Sequence, residues 1–80
     1  MKLSRIEQKE LYTFVMTFEN GETKESDLQG LIGQHVSVEA LHTAQIDREW
    51  GCLEFLNGRI DIEPKTLYRY VCADEMKDAA

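Results

Sequence analysis

Two Asn-Gly dipeptides, Asn20-Gly21 and Asn57-Gly58, each stand between runs in which apolar and polar residues alternate. Asn and Gly both tolerate the left-handed backbone that a tight hairpin turn requires, so the pair is the strongest short-range hairpin signal a sequence holds. With two such signals in 80 residues, antiparallel sheet must make up much of the fold. A domain of this size buries only about 60 to 65% of the surface that its unfolded chain exposes, so the core is thin. The 42% apolar and 30% charged content, with one proline and five glycines, is that of an ordered globule and not of a low-complexity segment.

Along the chain, Leu3 to Glu7 alternates briefly, and Gln8-Lys9-Glu10 forms a polar turn. From Leu11 to Phe18 the period is two, which places Tyr12, Phe14, Met16 and Phe18 on the core face. Glu22 to Asp27 is polar at both parities and fits an edge strand, where charge discourages pairing with other chains. A two-residue loop sets Glu19 opposite Glu22, whereas a three-residue loop with a bulge shifts the partners by one; both registers are open. Leu28 to Val36 reads as a connection that lends Leu31 and Ile32 to the core. Ser37 then caps a helix of about two turns, with Val38, Leu41 and Ala44 on one face.

The second half is more tightly specified. Ile46 begins a strand, Arg48-Glu49-Trp50-Gly51 turns the chain, and Cys52 to Leu56 returns. A two-residue turn at Asn57-Gly58 pairs Phe55 with Ile60, Glu54 with Asp61 and Leu53 with Ile62, so every second pair is apolar and faces inward. Pro64 opens a short helix, since its missing N–H has no partner to lose there, and Leu67, Tyr70 and Val71 dock it. The expected fold is α+β: a small curled antiparallel sheet of about five to six short strands in hairpins, with two short helices. Residues 1–72 form the domain and 73–80 a frayed acidic tail.

Charge is focused. The stretch 19–27 holds Glu19, Glu22, Glu25 and Asp27 against Lys24, and the stretch 45–63 holds Asp47, Glu49, Glu54, Asp61 and Glu63 against Arg48 and Arg59. Each sums to −3, and together they equal the whole formal charge of −6. Phosphate affinity comes from Lys and Arg, so nucleic acid is not the expected direct ligand; a basic protein surface is. Glu54 and Asp61 lie opposite one another, which costs a few tenths of a kcal/mol, at the low end of the roughly 0.2 to 1 kcal/mol range of cross-strand pairs.

No catalytic pattern is legible. Ser4, Ser26 and Ser37 stand in no nucleophile setting, and His35 and His42 lack metal spacing with each other or with the cysteines. Neither a metal nor a cofactor is expected. Cys52 and Cys72 fit reduced, buried thiols better than a secreted disulfide framework. No stretch reaches membrane-spanning length and the opening residues hold no apolar signal core, which points to a cytoplasmic protein.

The segments Val15-Met16-Thr17-Phe18-Glu19-Asn20-Gly21-Glu22, Asp27-Leu28 and Leu53-Glu54-Phe55-Leu56-Asn57-Gly58, closing with Glu63-Pro64 and Leu67-Tyr68, resemble the bacterial family called domain of unknown function 2442. The resemblance spans roughly residues 3 to 70, and the order and spacing of its short pieces carry it. It implies a small α+β domain with a curled antiparallel sheet, of a kind found alone, fused to helix-turn-helix modules or beside toxin-like partners. Thr23-Lys24-Glu25-Ser26 is more polar than that pattern, Phe55 stands where Trp is common, and no helix-turn-helix segment follows.

These readings converge on a non-catalytic acidic binding protein. Its acidic hairpins would engage the basic surface of a nuclease, toxin or nucleic-acid-binding complex, as an antitoxin or an anti-CRISPR decoy does, because spaced carboxylates imitate phosphates. The candidate contact residues are Glu19, Glu22, Glu25, Asp27, Asp47, Glu49, Trp50, Glu54 and Asp61. Trp50 either anchors a partner or folds over the sheet. The alternative is an accessory domain, monomeric or homodimeric, that pairs through its sheet while the acidity serves solubility.

Overall fold

A computed structural model describes residues 1–78, with side chains described through Asp74. Six strands make two antiparallel sheets of three. Strands β1 (Leu3–Glu10), β2 (Thr13–Phe18) and β3 (Thr23–Asp27) form the first, in that spatial order; β4 (Gln45–Ile46), β5 (Leu53–Phe55) and β6 (Ile60–Ile62) form the second. Between them lie the one-turn helix α1 (Gln29–Ile32) and a 3₁₀ helix (Val38–Thr43), and α2 (Pro64–Asp78) closes the chain. The α+β class and the strand number agree with expectation, but the strands divide into two sheets. The edge strands β1 and β4 run close together where the Leu3 N–H donates to the Gly51 carbonyl at 3.0 Å.

The alternation in β2 does what its period demands. Tyr12, Phe14, Met16 and Phe18 are buried, and Val15 and Thr17 face outward. Phe14 meets Phe55 edge-to-face at 6.1 Å, which joins the two sheets. Leu28, Ile32, Val36 and Leu41 from the connecting segment and Leu67 and Val71 from α2 fill the space between. Each such side chain contributes about 1.5 to 3 kcal/mol on leaving water, so the thin core needs nearly all of them.

Both hairpins are resolved. At Asn20-Gly21 the Gly21 N–H donates to Phe18 O and the Phe18 N–H to Glu22 O, both at 2.9 Å. Thr17 faces Thr23, and Gly21 has φ +90°. This is the three-residue loop with a glycine bulge, so Glu19 and Glu22 are not partners. At Asn57-Gly58 the pairs Leu53 with Ile62, Glu54 with Asp61 and Phe55 with Ile60 form as the alternation requires. Asn57 and Gly58 take φ +58° and +86°, and Leu56 is drawn to +56° beside them. Its N–H donates to Thr43 Oγ1 at 2.9 Å, which fixes the turn to the 3₁₀ helix.

Four local expectations need correction. The Gln8-Lys9-Glu10 segment is strand, and the reversal falls at Leu11-Tyr12, because Leu11 takes φ +47° and Gln8 Nε2 bridges to its carbonyl at 3.0 Å. β2 accordingly starts at Thr13 and not at Leu11. The helix after Ser37 is 3₁₀, closed by Ala40 N–H to Ser37 O and by Thr43 Oγ1 to Ala40 O at 2.6 Å. Finally, α2 does not stop near residue 72: Ala, Glu, Met and Lys at 73–77 are good helix formers, and the helix continues to Asp78. Of the tail expected over 73–80, residues 79 and 80 lie outside the described residues.

Gly51 has φ +71°, and a methyl group there would overlap Cβ and Cγ of Lys2; Gly21 has φ +90° with open space around it. Gly51→Ala should therefore lower the melting temperature by about 10 °C or more, and Gly21→Ala by about half of that, since about 1 to 2 kcal/mol of backbone strain is common to both and each kcal/mol moves a small domain by about 4 to 8 °C. Thermal unfolding of the two variants by circular dichroism measures the difference. Equal shifts would contradict the close approach of Lys2 to Gly51.

Candidate functional site

The structure separates the candidate residues into two groups with different employment. In the first hairpin, the chain needs most of its carboxylates for itself. Glu22 accepts from Tyr68 Oη at 3.0 Å through both oxygens and from Asn20 Nδ2 at 2.8 Å, and it lies 3.4 Å from Lys24 Nζ. Asp27 accepts from the Gln29 N–H at 2.9 Å and so turns the chain into α1. Glu19 lies 3.8 Å from the amino group of Met1. Glu25 stands on the solvent face of β3, opposite Val15.

Glu22 and Tyr68 hold each other. The phenol hydrogen bond draws the Glu22 carboxyl below its ordinary range, against a smaller opposing effect of desolvation. The carboxylate, with help from Cys72, pushes the Tyr68 phenol up to about 12. Phe18 packs edge-to-face on the same ring at 5.1 Å, and Lys24 Nζ lies 5.9 Å from its centroid. This cluster fastens α2 to the first hairpin and explains why a strand so polar can be partly covered: Ser26, on the same side of β3 as Lys24, is buried and donates to Asp74 at 2.9 Å.

The second group is gathered on the other sheet. Alternation in β5 and β6 sends Leu53, Phe55 and Ile62 inward, so Glu54 and Asp61 face outward as a cross-strand pair. Gln45 on β4 donates to Glu54 Oε1 at 2.6 Å, which orients that carboxylate. Asp47 anchors the β4–β5 turn: its carbonyl accepts from Gly51 at 2.6 Å and its Oδ1 from the Glu49 N–H at 3.0 Å. Glu49 is exposed at the tip, and Trp50 is 66% exposed beside it. Trp50 thus does not fold over the sheet.

Cys52 lies beside these carboxylates. Burial raises its thiol pKa, and Asp61, Asp47, Glu63 and Glu54, in that order, raise it further. Glu63 was absent from the candidate residues, yet strand parity places it on the face of Asp61, two residues away. The thiol is buried, Cys72 is half-buried, and neither is in a disulfide. Among the described residues, no three His, Cys, Asp or Glu side chains are grouped to hold a metal, and no helix is long and apolar enough to cross a membrane.

The Tyr68 and Glu22 shifts have opposite consequences for stability. Tyr68 holds its proton more tightly when folded, so its contribution is complete below the ordinary phenol value near 10 and fades as the pH rises to about 12. Glu22 is easier to ionise when folded, so its contribution is present above the ordinary carboxylate range and is lost as the pH falls through it. Titration of phenolate absorbance should show one of the three tyrosines ionising near pH 12. Glu22→Gln should move that component toward lower pH, and Tyr68→Phe should remove it; a late component unchanged in Glu22→Gln would contradict the pairing.

The chain belongs to the family described as protein of unknown function (DUF2442), whose model matches residues 3–72. No curated protein and no solved structure matches it.

Proposed function

We propose, taking this family membership as the premise, that the chain is a non-catalytic binding module whose acidic hairpin face engages a basic surface on a partner protein. The grouping of Asp47, Asp61 and Glu63 along one groove with an exposed Trp50, and of Glu54 opposite Asp61 across β5 and β6, carries this reading. Carboxylates held on strands by cross-strand pairing keep fixed spacings, and fixed negative charges can occupy the phosphate positions of a nucleic-acid-binding partner. The partner is accordingly an enzyme or complex that handles nucleic acid, and this protein is its inhibitor or its antitoxin-like decoy. Complementary charge of this kind raises the association rate and excludes wrong partners more than it deepens affinity.

The first hairpin has a lesser part in this binding. Glu22 and Asp27 serve the fold, and Glu25 stands exposed on the solvent face of β3. The experiment follows from that division. The triple variant Glu25→Lys, Glu54→Lys and Asp61→Lys spares Glu22, so its circular dichroism should match the native protein. Immobilised native protein in a bacterial lysate should retain a basic nucleic-acid-binding protein that double-stranded DNA displaces and that elutes as salt rises from about 0.1 M to about 0.5 M, where screening shortens to a few ångströms. The triple variant should retain none of it. Equal retention by the variant, or a complex that neither DNA nor salt disturbs, would overturn the decoy reading.

A further inference from the structure

Trp50, Asp47, Asp61, Glu63 and buried Cys52 line an open groove of about 570 Å³. Lys2 and Lys65 line it as well, so the charge of the groove as a whole is close to balanced. A balanced groove exerts little long-range pull on a diffuse cation, and its selectivity must come from contacts at short range. Two are available side by side: an exposed indole and carboxylates held in place by the β4–β5 turn and by β6. Three carboxylates, those of Asp47, Asp61 and Glu63, face two lysines along this lining.

We propose that this groove receives the guanidinium of an arginine side chain from an extended basic segment of the partner, stacked on the Trp50 indole and hydrogen-bonded to the carboxylates of Asp61 and Glu63. The inference rests on the binding reading above and names the chemistry by which that partner is recognised. Guanidinium suits the site better than ammonium for two reasons. It is weakly hydrated and planar, so it loses little on leaving water and can lie against an aromatic face, and its fork of donors matches carboxylate geometry. A lysine ammonium is compact and strongly hydrated, and it gains little from an exposed ring. Tryptophan is the best aromatic partner for such a cation, and interface energy concentrates on Trp and Arg.

The test uses the full chain, with hexa-arginine and hexa-lysine peptides as probes. Trp50 is the sole tryptophan, so its fluorescence reports on this groove. Hexa-arginine should change that emission saturably and bind about fivefold more tightly than hexa-lysine, the ratio that corresponds to about 1 kcal/mol of stacking. By calorimetry, Trp50→Ala should weaken hexa-arginine about fivefold and bring the two peptides within about twofold of each other, while Trp50→Phe keeps part of the preference. Asp61→Asn combined with Glu63→Gln should weaken both peptides. Hexa-arginine binding that is unchanged in Trp50→Ala, or equal affinity for both peptides in the native protein, would overturn the arginine site and leave the acidic binding reading standing. Failure of both peptides to bind would overturn both.

Discussion

Two edge-to-face aromatic contacts hold the parts of this small protein in register. Phe14 against Phe55, at 6.1 Å, joins the β1–β3 sheet to the β4–β6 sheet; Phe18 against Tyr68, at 5.1 Å, joins the first sheet to α2. Neither sheet could stand alone, since a three-stranded sheet needs a covered apolar face and the strands of the second are three residues or shorter. Phe14 and Phe18 both supply that cover from the buried face of β2. Aromatic pairs of this geometry contribute about 0.5 to 1.5 kcal/mol beyond area burial, and their larger effect here is to fix how one sheet faces the other.

The acidic face is a consequence of that arrangement. Once Leu53, Phe55 and Ile62 are committed to the core, strand parity leaves Glu54 and Asp61 outside and Glu63 in line with Asp61. The β4–β5 turn, held by Asp47 and by Gly51 against Lys2, then sets Trp50 beside these carboxylates. Like charges opposite one another oppose folding slightly, and Gln45 relieves part of this by donating to Glu54. The first hairpin resolves the same problem differently, by drawing Glu22 onto Tyr68 and Lys24.

How much of this was legible in the sequence follows from the range of each interaction. The second hairpin could be read to the residue, because turn chemistry and apolar alternation specify the same register. The first could be located but not registered: Asn20-Gly21 suits both a two-residue turn and a three-residue loop with a bulge, and only the Phe18–Glu22 pairing decides. α1 escaped notice because Gly30 and Gly33 weaken its local signal, and burial of Ile32 holds it. The Glu22–Tyr68 bond joins residues 46 apart, which no local pattern encodes. Of the candidate site, Asp61, Glu54 and the parity of Glu63 were readable from alternation, whereas the convergence of Asp47 and Trp50 on the same groove depends on how the β4–β5 turn closes.

The central proposition is that recognition takes place on the β4–β6 sheet and not on the carboxylates of the first hairpin. Mapping backbone amide chemical shifts during titration with the captured basic partner addresses this directly. Perturbations should cluster at residues 47–52 and 60–65 around Trp50, with the amides of β3 shifting less. Shifts concentrated on residues 19–27, or spread evenly over the surface, would contradict it.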